Sequence, residues 1–170
     1  MATPETDRYL LHLNHALSME SALVDHLEQR AAAVEVPKIK QRIQDHRTQT
    51  IHHRDTVQRI IQSLGGQPTA AKANVQSPIA SGVMGAVRDA IELEKGDQAL
   101  AKALADYAVE NFEAGVYLAL AEIARNLNHG EHVADFDHIR QEEEEMAQFL
   151  GNSAAEVVDE AFPPAGRRAA

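Results

Sequence analysis

Five polar side chains interrupt the regular apolar stripes of this sequence, and all five are of types that bind metal ions. They are Glu20, His46, His53, Glu110 and Glu143. A carboxylate that faces the interior of a helical bundle is rarely left without a cation, because removing a lone charge from water costs several kcal/mol at least. The pattern therefore predicts a buried metal site.

Two further candidates stand one helical turn from members of this set, Gln49 after His46 and Glu113 after Glu110. Four carboxylates carry a charge of about −4, which two divalent cations would neutralise. Oxygen ligands with one or two imidazoles suit iron or manganese, and zinc would also bind. The predicted ligand set is Glu20, His46, Gln49, His53, Glu110, Glu113 and Glu143.

The residues around these candidates recur at alternating steps of three and four, which places each set on one face of an α-helix. Such stripes run over residues 10–31, 39–64, 100–124 and 136–150, and the third includes Tyr107. A stripe of this kind is the seam of a helical bundle. Four helices must therefore position the candidate ligands.

Capping residues, prolines and glycines predict where these helices begin and end. The first begins near Pro4, where Thr3 or Thr6 can cap it, and the second begins at Pro37 and stops at Gly65-Gly66. The predicted helices cover residues 4–33, 37–64, 98–128 and 131–150.

Two shorter helices are predicted outside these four. One is amphipathic and runs from Ser77-Pro78 to near Gly96, between the second and third main helices. The other covers residues 154–162, after a break at Gly151-Asn152-Ser153, and a disordered tail is predicted over residues 163–170.

Two tight hairpins joined by a crossover of about 30 residues make an up-down-down-up bundle with ferritin-like connectivity. The predicted fold is therefore all-α: a ferritin-like four-helix bundle with a long crossover that contains an extra helix, and a short C-terminal helix. Residues 1–162 are predicted to form a single domain, because nothing in the sequence suggests a second.

The turn positions indicate which candidates share a level in the bundle. With the first turn centred near residue 34, Glu20 lies opposite about position 47, which favours His46 and Gln49 and leaves His53 within the error. With the second turn near residue 129, Glu113 lies opposite about position 145, close to Glu143.

Each candidate also has a purely structural interpretation. A single Glu on a stripe is more often a boundary residue that reaches water, and Glu142–Glu145 reads mostly as a solvated face, with at most two side chains pointing inward. His52 and His53 diverge by about 100°, so only one faces the core, and the stripe selects His53. A candidate ligand interrupts the apolar stripe on each of the four helices, and this coincidence favours the metal interpretation. Surface or cap positions are predicted for His12, His15, His26, His129, His132 and His138.

Tyr117 lies seven residues after Glu110 on the same stripe. We interpret it as an ordinary core tyrosine with a satisfied hydroxyl. The alternatives are a hydrogen bond to a ligand carboxylate or a redox-active phenol beside the metals.

Charge and composition limit the partners. With 16 basic and 26 acidic residues the formal net charge is −10, which disfavours nucleic acid and anionic membranes. The chain has no cysteine, which excludes disulfides, thiolate zinc sites and a rubredoxin-type iron centre. No secretory leader is evident, and no apolar run approaches the roughly 20 residues of a membrane span. A cytoplasmic protein is therefore expected.

The sequence at these residues resembles the YciF/YciE family of ferritin-like, stress-associated bacterial proteins. The matching stretches cover residues 18–23, 45–53, 109–117 and 142–143, and the whole resemblance covers about residues 8–151. Its most specific element is the Glu-x-x-Glu of the third helix with the tyrosine that follows. The same two glutamates resemble those of rubrerythrins, which reduce peroxide at a di-iron centre. The resemblance implies a di-metal oxidoreductase of peroxidase or ferroxidase type.

Two positions depart from the family pattern. Gln49 stands where the family usually has Glu, and Met146 where an acidic residue is common. Both changes remove an anionic ligand, so a single metal, weak binding or an inactive site all stay open. Because the chain has no rubredoxin domain, such an enzyme would need an external electron donor.

The sequence thus predicts a ferritin-like metal-binding protein with a di-iron or di-manganese carboxylate site, acting on peroxide or oxygen or oxidising ferrous iron in stress defence. The alternative is a non-enzymatic stress-response or assembly module with a degenerate metal site. A homo-oligomer is expected, with the first two helices pairing with a second copy as a dimer. An iron-storage cage is less favoured, because the helix predicted at residues 79–94 would occupy space that a cage subunit fills with an extended loop.

Overall fold

The computed structural model describes residues 3–69 and 98–161 of the chain. These ranges contain four helices, which confirms the predicted all-α, four-helix architecture. The helices are α1 (Pro4–Ala33), α2 (Pro37–Ser63), α3 (Gln98–Asn126) and α4 (Gly130–Ala161).

Two predicted elements lie outside the described residues: the helix from Ser77 to Gly96 and the tail over residues 163–170. Among the described residues, no helix combines the length and the apolar character that crossing a membrane requires.

The α1 helix begins where its capping residues predict. The Thr3 backbone is extended, and its hydroxyl accepts a hydrogen bond from the Thr6 backbone N–H at 3.3 Å. Pro4 follows in the first turn, where no backbone N–H is needed. Glu5 and Asp7 place negative charge at the positive end of the helix. Local chemistry therefore fixes the start of α1.

The α2 helix ends at the predicted glycine pair, in a Schellman motif. Gly65 has a φ of 74°, and the Gly66 N–H bonds the Ile61 carbonyl at 2.9 Å. A Cβ at residue 66 would lie 2.5 Å from Leu10 Cδ2, so glycine allows this turn to pack closely on α1. Asn128, with a φ of 61°, takes the same left-handed role in the α3–α4 turn.

The predicted break at Gly151-Asn152-Ser153 is wrong, because α4 continues unbroken to Ala161. The separate helix predicted over residues 154–162 is the last part of α4. Glycine usually weakens a helix interior by about 1 kcal/mol. Close packing opposes that cost, since a Cβ at residue 151 would lie only 3.2 Å from Tyr107 Cε2. Tyr107 itself, predicted as a stripe residue, is 40% exposed.

Two antiparallel hairpins, α1–α2 and α3–α4, pack together to form the bundle. Arg30 near the end of α1 donates to Asp106 in the first part of α3 at 3.0 Å. Arg59 near the end of α2 donates to Asp135 near the start of α4 at 3.1 Å. The α2 and α3 helices therefore run in the same direction, in the predicted up-down-down-up order.

Two apolar clusters form the core. The larger one draws on all four helices, and the smaller one lies towards the α1–α2 turn and contains Leu27, Ala31, Ile43, Met146 and Leu150. Buried polar residues from the middle of each helix lie outside both clusters. The stripes predicted from the sequence therefore supply both the apolar core and the polar layer that interrupts it.

Candidate metal centre

Six of the seven predicted ligands are buried in one layer across the middle of the bundle. None of the six exposes more than 4% of its surface. Each helix contributes at least one member, so the layer exists only when both hairpins are packed together. The six residues are Glu20, His46, His53, Glu110, Glu113 and Glu143.

The donor atoms of this layer form two groups that could each hold a metal ion. One group consists of Glu20, His53 and Glu143, and the other of His46, Glu110 and Glu143. Within each group the nitrogen and oxygen atoms lie within 4.8 Å of one another. Glu143 belongs to both groups, so its carboxylate would be shared between them.

Several donor atoms approach closely without the alignment of a hydrogen bond. His46 Nε2 lies 3.0 Å from Glu110 Oε2 and 3.4 Å from Glu143 Oε2. His53 Nδ1 lies 2.8 Å from Glu143 Oε1 and 4.0 Å from Glu20 Oε2. In proteins, buried polar atoms almost always have a partner, so these converging atoms are candidates to bind a cation.

Six buried atoms of the layer have no hydrogen-bond partner among the described residues. All six are carboxylate oxygens or an imidazole nitrogen, which are the donors that iron and manganese take. The residues present therefore fit a bound metal. The atoms are Glu20 Oε2, His53 Nδ1, Glu110 Oε2, Glu113 Oε1 and both carboxylate oxygens of Glu143.

Burial and mutual repulsion disfavour the ionised carboxylates. Burial, together with the charge of Glu143, raises the pKa of Glu20 from 4.5 to about 8, although His53 and Tyr117 oppose this. Burial and the neighbouring carboxylates also raise the pKa values of Glu113 and Glu143 well above the ordinary range. A bound cation reverses this balance, because it favours the charged form.

A chain of hydrogen bonds outside the layer orients both histidines. The Glu142 carboxylate accepts a hydrogen bond from His53 Nε2 at 2.6 Å, and His53 Nδ1 faces the layer. Gln49 Nε2 donates to Glu142 Oε1 at 2.8 Å. Gln49 Oε1 lies 3.3 Å from His46 Nδ1, where it can accept a hydrogen bond, and His46 Nε2 is directed at Glu110.

Gln49, the seventh predicted ligand, thus lies beside the layer and uses both ends of its amide in this chain. Arg42 donates a further hydrogen bond to its oxygen at 3.2 Å. The structure places Gln49 as an orienting group for His46. Outer hydrogen bonds of this kind fix the tautomer and ring direction of metal-binding histidines.

Tyr117 is fully buried, and its hydroxyl donates a hydrogen bond to Glu20 Oε1. The Tyr117 hydroxyl is therefore satisfied by one of the candidate ligands, which is the alternative of a hydrogen bond to a ligand carboxylate. Burial and the charge of Glu20 raise the pKa of Tyr117 well above 10. The phenol therefore stays protonated and holds Glu20 in place.

The amino-acid sequence matches the model of one protein family over residues 5–162. The chain belongs to DUF892, a domain of unknown function. No curated protein matches it. Because the match covers nearly the whole chain, the family assignment applies to the complete bundle.

Solved structures show the same fold. The Escherichia coli stress protein YciF is 20% identical, with a TM-score of 0.73 over 94% of this chain and 99% of that one. A protein from Xanthomonas campestris pv. campestris is 25% identical, with a TM-score of 0.70 over 92% and 94%. YcfI from Rhodopseudomonas palustris is 19% identical, with a TM-score of 0.69 over 89% and 94%. The predicted resemblance to the YciF-type family is confirmed.

Sequence reasoning missed two features around the site. The sequence predicts a mostly solvated face for Glu142–Glu145, with at most two side chains pointing inward, and gives Glu142 no role of its own, yet this carboxylate lies 2.6 Å from His53 Nε2. His132 was predicted at the surface or in a cap, which is wrong because only 3% of it is exposed and its Nδ1 lies 3.2 Å from the Tyr9 hydroxyl. No spacing in the sequence marks either role, since both depend on how side chains meet across two helices.

Proposed function

We propose that this DUF892 protein binds two divalent iron or manganese ions in its buried polar layer and that the iron form oxidises ferrous iron with peroxide or oxygen. The observation that carries the proposal is the set of six buried, unpartnered donor atoms that converge from four helices. Stress defence is the physiological setting that fits such a reaction, and one structural relative is described as a stress protein.

The charge of the layer supports two divalent ions. Four buried carboxylates and two imidazoles converge there, with no Lys or Arg among the residues of either donor group. Two divalent cations would neutralise the four carboxylates. Zinc would also bind this donor set, so metal identity has to be measured.

The reaction balances with peroxide as the oxidant. Two ferrous ions held by these residues would supply one electron each, and one hydrogen peroxide with two protons would become two waters. Glu143 belongs to both donor groups, and Tyr117 holds Glu20. Glu113, whose Oε1 has no partner among the described residues, would be a further carboxylate for the ions.

Return to the ferrous state needs an external electron donor. The chain has no cysteine and thus no rubredoxin-type centre of its own. His53, Gln49 and Glu142 line an open groove between α2 and α4, which gives small molecules a route towards the layer. A small reductant or a partner protein would act from this side.

Metal content per chain tests the proposal. The parent protein, purified without chelator and then loaded anaerobically with ferrous iron, should hold about two ions. A Glu110→Ala/Glu143→Ala variant should lose them, since it removes a ligand from each group. A Glu131→Ala/Glu145→Ala variant is the matched control, because both of these glutamates are exposed. Peroxide-dependent oxidation of the loaded iron should then follow only in the parent and control proteins.

A degenerate, non-enzymatic module is the alternative, and Met146 favours it. Met146 packs in the smaller apolar cluster with Leu27 and Ile43, so no ligand stands there. Thr50 faces the layer, but its hydroxyl donates to the His46 carbonyl at 3.0 Å. Absence of metal in the loaded parent protein would support this alternative, as would tight binding without turnover.

A further inference from the structure

A continuous series of aromatic rings leads from the polar layer to the α3–α4 turn. His53 lies 6.3 Å from Tyr117 between ring centroids, Tyr117 lies 6.0 Å from Phe136, and Phe136 lies 6.5 Å from His132. His132 in turn lies 6.1 Å from Tyr9. Neighbouring rings are thus separated by about the same short distance along the whole series.

The series approaches the surface of the α3–α4 turn at His129. Tyr117, Phe136 and Tyr9 are fully buried, and His132 is 3% exposed. His129, in the α3–α4 turn, is half-buried and stacks on His132 at 4.9 Å.

Each tyrosine in the series has a proton acceptor at its hydroxyl. Tyr117 donates to Glu20, and the Tyr9 hydroxyl lies 3.2 Å from His132 Nδ1. Burial and the nearby His129 lower the pKa of His132, which keeps its imidazole neutral and able to accept a proton. An acceptor is needed because a positively charged radical would be costly in apolar surroundings.

We infer that Tyr117 and Tyr9, linked through Phe136 and His132, carry one-electron oxidation from the polar layer to the surface at His129. This inference rests on the proposed iron oxidation. It assigns the two tyrosines a role when only one ferrous ion is bound, because one ion supplies only one of the two electrons that peroxide takes. The phenols then protect the bundle from partly reduced oxidant.

The electrons and protons balance in each step. One ferrous ion and the Tyr117 phenol would supply one electron each, and the phenol proton would pass to Glu20. Hydrogen peroxide would take these two electrons and two protons from solvent and become two waters. Tyr9 would then give an electron to the Tyr117 radical, which takes its proton back from Glu20, while the Tyr9 proton passes to His132. A one-electron reductant such as ascorbate would restore Tyr9, which recovers its proton from His132.

Electron paramagnetic resonance of rapidly frozen samples tests this route. The full-length protein is loaded with one equivalent of ferrous iron, mixed with one equivalent of peroxide and frozen. The chain has three tyrosines and no tryptophan, so the third, Tyr107, provides a matched control. The variants are Tyr9→Phe, Tyr117→Phe, their double variant and Tyr107→Phe, each of which keeps its ring.

We expect a tyrosyl signal in the parent and Tyr107→Phe proteins and its loss in the double variant. In the Tyr9→Phe variant the radical should stay on Tyr117, and after ascorbate is added its signal should decay more slowly than the signal of the parent protein. Iron content and ferric absorbance are measured on the same samples. If iron binds and is oxidised but the signal is absent, or persists in the double variant, the inference is overturned and the proposed function stands. If no iron binds, both are overturned.

Discussion

Gln49 supplies both a donor and an acceptor to the hydrogen-bond chain that orients the two histidines of the polar layer. Its NH₂ group donates to Glu142 and its oxygen faces His46 Nδ1. A carboxylate at this position could accept from His46 but could not donate to Glu142, and the two acids would repel each other. At the scale of one residue, the amide is therefore the chemical type that this chain of contacts requires.

Gln49→Glu should consequently weaken metal binding, by about 10- to 100-fold, the usual effect of losing an orienting contact. Isothermal titration with manganese measures this directly. Gln44→Glu, at an exposed position on the same helix, is the control for added charge. Tighter binding by Gln49→Glu would show instead that residue 49 is a ligand position, as the sequence alone suggested.

The raised pKa of Glu20 predicts how the stability of the metal-free protein depends on pH. Its folded-state value of about 8 lies above the ordinary 4.5. A carboxyl group with a raised pKa stabilises the fold fully below the unfolded value, and this contribution is lost as the pH rises through the folded value. The pKa of His46 is also raised, because hydrogen bonding and the charges of Glu110 and Glu143 outweigh its burial. The contribution of His46 to the stability of the fold is therefore also lost as the pH rises.

Thermal melts in chelator should show the melting temperature falling from pH 5 to pH 8, and Glu20→Gln should reduce that slope. Glu28→Gln on the same helix is the control, since its side chain is 68% exposed. A melting temperature of the metal-free parent protein that rises over this range would contradict the assignment.

The α4 helix shows, at the scale of one element, where local sequence stops being informative. Gly151-Asn152-Ser153 has the composition of a helix break, yet α4 runs through it. The Tyr107 ring against Gly151 and the buried Ala154 one turn later belong to the packing of α4 on α3. These contacts between helices decide the outcome, and helix propensity is a weak prior beside them.

Gly151→Ala measures this contact. In an open helix position the change should stabilise the protein by about 1 kcal/mol, but here the new Cβ meets the Tyr107 ring at 3.2 Å. We expect a smaller gain in the free energy of unfolding by urea. In a Tyr107→Ala background the full gain should return, and equal gains in both backgrounds would rule out the contact.

Much of the fold and the site could be predicted because helical periodicity is a local property. The stripes identified the buried faces, and the interruptions at Glu20, His53 and Glu143 are buried together as expected. The orienting role of Glu142 and the burial of His132 could not be predicted. Each depends on the relative rotation and offset of two helices, and a shift of one or two residues changes which side chains meet.

At the scale of the whole molecule, the polar layer places buried carboxylates in the middle of a bundle that two apolar clusters hold together. Four carboxylates are buried there in a chain that already carries a formal net charge of −10. The two apolar clusters on either side bind the helices together, while the layer opposes them until its charge is neutralised. Metal binding should therefore appear as a gain in the stability of the entire domain.

Manganese at a thousandfold excess over its dissociation constant should stabilise the protein by about 4 kcal/mol for each ion bound, which corresponds to about 10 °C in melting temperature per ion. The Glu110→Ala/Glu143→Ala variant should show no such shift. Magnesium is the ionic control, because it dehydrates reluctantly and does not favour imidazole ligands. An equal shift with magnesium, or in the variant, would assign the stabilisation to some other part of the surface.

The shared position of Glu143 has a consequence for how the protein responds to metal supply. An ion held by Glu20 and His53 would orient the same carboxylate that serves His46 and Glu110. The two binding events are then coupled, and the coupling is reciprocal. A change at either donor group would therefore alter the metal affinity of the other by the same free energy.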